Sequence, residues 1–172
     1  MTNLTKEYID EYDEIWKESL HFSRILMPEI KKHLSLFTGC TKITDNEGTE
    51  IDKNEGKDIT CIMPFEDNLT FGVRVRSYKH KKFDEYTEDD KERDNHNPDF
   101  HFYGYADRHN KKLYSFIIFH HGEFINGKKT KKIWISDRRQ NEKYSKVWFT
   151  CYPLRQIAEN CYSFRYGKIG WK

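Results

Sequence analysis

Long apolar runs are missing from this sequence. No stretch of about 18 apolar residues occurs, which excludes a membrane-spanning helix. Cysteine is sparse, at 40, 61, 151 and 161, with no C-x-x-C pair, so no common zinc module is encoded. There is no G-x-S-x-G, no P-loop and no G-x-G-x-x-G, which argues against serine-hydrolase and nucleotide-dependent chemistry. Proline numbers four and glycine nine, and no Pro-rich or Gly/Ser-rich linker or internal repeat divides the chain. One domain over 1–172 is expected. The first residues, MTNLTKEYIDEYDEIWKE, are acidic and lack the basic and apolar regions of a signal peptide. The expectation is a cytoplasmic chain with reduced thiols. Cys61, Cys151 and Cys161 sit in apolar surroundings, which raise a thiol's pKa and leave it inert.

Hydrophobic residues are also scarce, at 36% against a typical ~45–50%. Charged residues reach 34% and the mean hydropathy is −0.97. What compensates is aromatic content: 12 Phe, 11 Tyr and 4 Trp. A buried ring removes roughly 150–250 Å² from water, so few aliphatics are needed to close a core. The net charge of +2 conceals a segregation. Residues 1–18 hold two lysines against six acids, whereas residues 127–146 hold eight Lys/Arg against two acids. The basic stretch suits a polyanion, and its alternative is a solvated face.

The apolar period divides the chain into a helical N-terminal segment over 1–36, a sheet core over 45–152, and a C-terminal helix with an aromatic tail over 153–172. Leu4, Tyr8, Ile9, Tyr12, Ile15, Trp16, Phe22, Ile25 and Leu26 recur at three- and four-residue steps. Pro28 predicts a helix to about Met27 and a second, shorter one after it. Residues 45–58 are polar and read as a loop, with room for one short strand. From Asp58 the period changes to two. DITCIMPF and LTFGVRVRSY predict a hairpin, with Phe71, Val73 and Val75 on one face and Gly72, Arg74 and Arg76 on the other. Residues 79–98 form either an excursion or a short strand around FDEYT. FHFYGYAD and LYSFIIFHH predict a second hairpin, IWIS and VWFTCY further strands, and LRQIAENC a helix. The fold class is α+β: a mainly antiparallel central sheet with the N-terminal helices on one face.

Three groups of residues are candidates for chemistry. Asp52 and Asp58 precede a strand whose neighbour carries Arg74 and Arg76. Carboxylates can ligate Mg²⁺ while cations stabilise charge on a phosphate. In the basic stretch, Lys131, Lys132, Arg138 and Arg139 are candidate phosphate contacts. Strand alternation there predicts that Trp134 and Trp148 are buried. The third group is His96, His101, His109, His120 and His121. His101 and His120 come near each other across the second hairpin, and His120 and His121 point to opposite faces.

Gly56-Lys57-Asp58-Ile59, a hairpin, and Gly72-Val73-Arg74-Val75-Arg76 together resemble the core of the PD-(D/E)XK, restriction-endonuclease-like nucleases. More narrowly they resemble small phage and prophage proteins with an aspartate strand, a V-R-V-R strand, an E-Y-T segment and a D-x-x-x-Y-G-Y segment. Here the last two read Glu85-Tyr86-Thr87 and Asp99-Phe100-His101-Phe102-Tyr103-Gly104-Tyr105. The resemblance covers about 45–120. It implies a restriction-endonuclease-like core and Mg²⁺- or Mn²⁺-dependent phosphodiester cleavage, with Asp58 as the metal-binding aspartate. The family's second acid and lysine belong in the next strand, where this chain has Arg74 and Arg76 and no carboxylate between 68 and 83. Arginine neither ligates Mg²⁺ nor acts as a base, because it stays protonated. Either a migrated acid (Asp52, Glu50 or Glu66) completes the site, or the domain only binds. The implied partner is nucleic acid, or a host nucleic-acid-processing protein if the chain is a mobile-element inhibitor of a host defence nuclease. Both place it in the bacterial cytoplasm.

Overall fold

Strands β5 (Phe100–Ala106) and β6 (Leu113–His120) organise the molecule, because both of their faces are apolar. Phe102, Phe116 and Ile118 point to one side, and Tyr103, Tyr105, Ile117 and Phe119 to the other. A sheet apolar on both faces has to be covered twice. In the computed structural model, which describes residues 24–77, 84–89, 95–140 and 148–167, it is.

The central sheet has six strands in the order β1-β2-β3-β5-β6-β9, adding β1 (Lys42–Asp45), β2 (Ile59–Ile62), β3 (Leu69–Arg76) and β9 (Ser163–Tyr166). All its pairings are antiparallel except β3 with β5. Parallel neighbours require a long crossover. Here the excursion between them contributes β4 (Glu85–Asp89) to a second, antiparallel sheet of order β4-β8-β7. Its other strands are β7 (Asp137–Gln140) and β8 (Trp148–Pro153).

Helix α1 (24–38) covers one face through Leu26, Ile30 and Leu34, which pack with Ile59, Cys61, Phe71 and Phe102. The break expected after Met27 does not occur, and the helix continues across Pro28. An interior proline costs about 3 kcal/mol. Burying each Leu or Ile contributes roughly 1.5–3 kcal/mol, so this stripe outweighs the lost bond. The opposite face is covered by the second sheet with α3 (His121–Lys129) and α4 (Leu154–Asn160), through Tyr86, Phe124, Ile133, Tyr152, Leu154 and Ile157. The chain is thus α+β with a mainly antiparallel mixed sheet. Among the described residues no helix is long and apolar enough to cross a membrane.

Several local expectations need correction. The polar stretch 45–58 contains a helix, α2 (Glu50–Glu55), rather than a strand. Thr49 caps it by accepting from the Asp52 N–H, and Gly56 ends it at φ 61°. IWIS forms no strand: pairing with β8 starts only at Asp137. Strand β6 ends at His120, whose ring accepts from the Glu123 N–H and starts α3. The aromatic tail adds β9 to the central sheet beside β6. The helical pattern before residue 24 lies outside the described residues.

Candidate functional site: a carboxyl pair in an imidazole-walled cleft

Strand β2 pairs with β3 only from Ile59 to Cys61, opposite Phe71 to Leu69. Just before that pairing begins, Asp58 turns its carboxylate to the N–H of Val73 on β3. The loop that delivers Asp58 is fixed by Asn46. Its side chain donates to the Lys57 carbonyl at 2.9 Å and to Thr60 Oγ1 at 2.8 Å, and its N–H bonds the Asp58 carbonyl at 2.8 Å. Helix α2 then sets Asp52 against Asp58. One Asp52 oxygen accepts from the Gly48 N–H at 2.8 Å, and Asp52 lies close enough to Asp58 to raise its carboxyl.

Two neighbouring carboxyls repel when both are ionised, which favours a proton on one of them, or a cation. Burial, and then Asp52, push the Asp58 carboxyl up to about 8, against the opposing pull of the Val73 N–H and Arg74.

Asp52 and Asp58 open into a cleft of about 440 Å³, lined also by Arg74, Tyr86, Asn95, His96 and His101. Glycines let the imidazoles approach. A Cβ on Gly56 would overlap the His96 ring, and one on Gly72 would stand 3.3 Å from His101 Nδ1. The His96 loop is held by the Asn97 N–H, which bonds the Glu55 carbonyl at 3.0 Å. His101 Nε2 lies 2.8 Å from His121 Nδ1, so one ring donates to the other. Burial, then His121 and Arg74, hold His101 well below its usual range. Burial, then Lys128, bring His121 down to about 4. Both imidazoles are neutral at pH 7.

The arginines have structural partners. Arg74 Nη1 donates to the Thr87 carbonyl at 2.9 Å, and Arg76 Nη1 to Thr87 Oγ1 at 3.3 Å. The Thr87 hydroxyl also meets Tyr103 Oη at 3.1 Å, and Tyr105 Oη donates to the Glu85 carbonyl at 2.7 Å. Glu85 and Thr87 present their carbonyls on the edge of β4 away from β8. These side chains therefore seal an otherwise open edge against the central sheet. Arg74 lines the cleft and Arg76 does not.

Of the acids the sequence offered, the structure brings Asp52 to Asp58; Glu66 stands in the exposed turn between β2 and β3. Of the basic candidates, Lys131, Lys132, Arg138 and Arg139 do not line the cleft. Arg139 pairs with Asp137 at 2.5 Å and Glu85 at 2.7 Å, and Arg138 lies over the Trp148 ring at 5.1 Å. The expected burial of the tryptophans is wrong. Trp134 is 59% and Trp148 42% exposed, because Trp134 lies outside any strand and Trp148 opens β8 at its unburied end. The His101–His120 contact also fails: Phe100 stands opposite His120, and His101 meets His121 beyond the end of the strand. A bulge at Tyr105/Ala106 shifts the register of this hairpin, and the sequence gives no sign of it. Comparison with protein-family models, with curated proteins and with solved structures finds no match to this chain.

Proposed function

We propose that the cleft takes a divalent cation and a phosphodiester, and that the chain is a nuclease-like protein with a restriction-endonuclease-like core that engages nucleic acid. The observation carrying this reading is the meeting of Asp52 and Asp58 in a cleft that Arg74 also lines. Hard carboxylate oxygens suit Mg²⁺ or Mn²⁺, and Mg²⁺ is commonly held by one or two carboxylates together with substrate phosphate. Among the described residues no group of three or more His, Cys, Asp or Glu is placed to hold a metal, so the fit rests on this pair. A bound divalent ion supplies Lewis-acid polarisation of a phosphoryl oxygen.

The chain's own groups supply the rest. Asp52 and Asp58 would hold the cation, whose charge would replace the proton that Asp58 otherwise retains. Arg74 keeps a fixed positive charge in the cleft and attracts phosphate. His101, held neutral, walls the cleft without adding charge to it. Asp58 before β2, with Arg74 on adjoining β3, supports the core that the sequence resemblance implies.

A second reading is a module that binds without cleaving, with nucleic acid or a nucleic-acid-processing protein as its partner. It is favoured by the structural bonds of Asp58, Arg74 and Arg76, each of which the fold uses. Incubation with single- and double-stranded DNA and RNA in Mn²⁺ separates the two. Cleavage should occur, stop with EDTA, and fall by orders of magnitude in Asp58→Asn and Asp52→Asn. No cleavage of any substrate, or equal cleavage by all three proteins, overturns the nuclease reading.

A further inference from the structure

The segment 132–136 combines a fixed backbone with large exposed side chains. Trp134 is 59% and Ile135 56% exposed, although tryptophan is on average highly buried. Their backbone is anchored. The N–H groups of Lys132 and Ile133 both bond the Gly127 carbonyl, at 3.0 and 3.1 Å. The Trp134 N–H bonds Oε1 of the buried Gln156 at 2.8 Å. The Ser136 N–H and hydroxyl both bond the Cys151 carbonyl. Between Trp134 and its neighbours, Ile133 is buried, reaching with Cδ1 to 2.6 Å from where a Gly127 Cβ would stand. The Trp134 ring is therefore displayed by a rigid support.

The charges around it are mostly positive. Between Gly127 and Gln140 there are six Lys/Arg and one carboxylate, Asp137, which is bonded to Arg139. Lys128 is taken by Glu88 at 2.9 Å, and Arg139 reaches Glu85. Lys129, Lys131 and Lys132 are exposed and have no ion-pair partner among the described residues. Lys131 adopts φ 58°, reversing the chain directly before Trp134. At the far end of the β7–β8 ribbon, Arg138 lies 5.1 Å over the half-exposed Trp148 ring. Gln140, at the end of β7, is the residue opposite Trp148.

The geometry points to this ridge, headed by Trp134 and Lys131–Lys132, as a binding surface for single-stranded nucleic acid. Exposed rings stack on unpaired bases of any sequence, and the lysines neutralise the phosphates between them. A duplex hides its base faces, so it can use only the lysines. The inference rests on nucleic acid being the partner, as in the nuclease reading, but not on cleavage.

Fluorescence anisotropy with labelled 20-nucleotide single strands (oligo-dT and oligo-U) and a 20-base-pair duplex, in EDTA, tests it. Single strands should bind about tenfold tighter than duplex. Trp134→Ala should weaken single-strand binding about tenfold, with Trp134→Phe retaining most of it. Lys131→Glu/Lys132→Glu should flatten the salt dependence. Circular dichroism confirms that each variant is folded. Equal affinity of Trp134→Ala and wild type, preference for duplex, or no binding at 50 mM salt overturns the inference. An anionic peptide bound as tightly as the oligonucleotides, with the same loss in Trp134→Ala, also overturns it and gives the ridge to a protein. Binding in EDTA without cleavage in Mn²⁺ would remove only the nuclease reading. Cleavage without any effect at Trp134 would remove only the ridge.

Discussion

Asp58 gives the fold a pH dependence that can be worked out in advance. In the unfolded chain its carboxyl titrates near the ordinary aspartate value of ~3.9. In the folded chain burial and Asp52 raise it to about 8. Between those values the folded state holds a proton that the unfolded state has released, so stability falls as pH rises, by up to about 1.36 kcal/mol per unit. His101 and His121 act in the opposite sense. Their depressed values mean that the unfolded chain binds protons the folded chain refuses, so stability rises with pH until about 6.5, where unfolded histidine titrates. The two effects part above pH 6.5. From 6.5 to 8 the unfolded histidines lose their remaining protons, so their contribution levels off, while Asp58 lowers stability by about 1.5 kcal/mol. Asp58→Asn removes this limb. Its amide oxygen can still accept from Val73 and its amino group can donate to Asp52, so it imitates the protonated acid. Urea unfolding at half-unit steps from pH 5 to 8.5 measures the difference. Wild type should pass through a maximum near pH 6.5 and then decline. Asp58→Asn should reach a plateau and exceed wild type by more at pH 8 than at pH 6.5. Parallel curves for the two proteins above pH 6.5 would show that Asp58 is already ionised in the fold and that the carboxyl pair shares no proton.

Two further perturbations probe the walls of the cleft and the layer behind it. Gly56→Ala places a side chain at φ 61° and in the space of the His96 ring. The backbone effect alone is about 1–2 kcal/mol, so the urea midpoint should drop by at least that much; an unchanged midpoint would mean that His96 is not packed there. Lys128→Met leaves Glu88 buried with only the Tyr152 hydroxyl, 3.2 Å away, and should cost about 3–5 kcal/mol. Adding Glu88→Gln should recover much of that loss in a double-mutant cycle, and a purely additive double mutant would refute the pairing.

What could be read from the sequence was whatever followed a strict period. Phe71, Val73 and Val75 alternate with Gly72, Arg74 and Arg76, and the two sets do face opposite sides of β3, one toward α1 and the other toward β4. The second hairpin and α4 were legible for the same reason. Helix α2 was not, because its six residues carry no apolar stripe and are specified by a Thr49 cap and a left-handed Gly56. Helix α3 was hidden likewise: HGEFINGKK buries only Phe124 and Gly127. Within the candidate site, Asp52 and Asp58 were identifiable as acids near one strand start. Their contact depends on α2, whose existence the composition of 45–58 conceals. His121 was missed as the partner of His101 because it lies past the end of β6, where register no longer predicts neighbours.

The two arginines of β3 have a local structural role. The excursion after β3 sends β4 into a separate sheet, which leaves the Glu85 and Thr87 carbonyls facing the central sheet with no strand to bond them. A carboxylate at residue 74 would repel the Thr87 carbonyl oxygen. A lysine could reach that oxygen as a point charge, but it would lack the planar fork that lets a guanidinium bond one carbonyl while presenting further N–H groups elsewhere. Arg74 can therefore anchor β4 and still line the cleft, whereas Arg76 is spent on Thr87 and lies outside it. Asp52 reaches the same cleft from α2 rather than from β3.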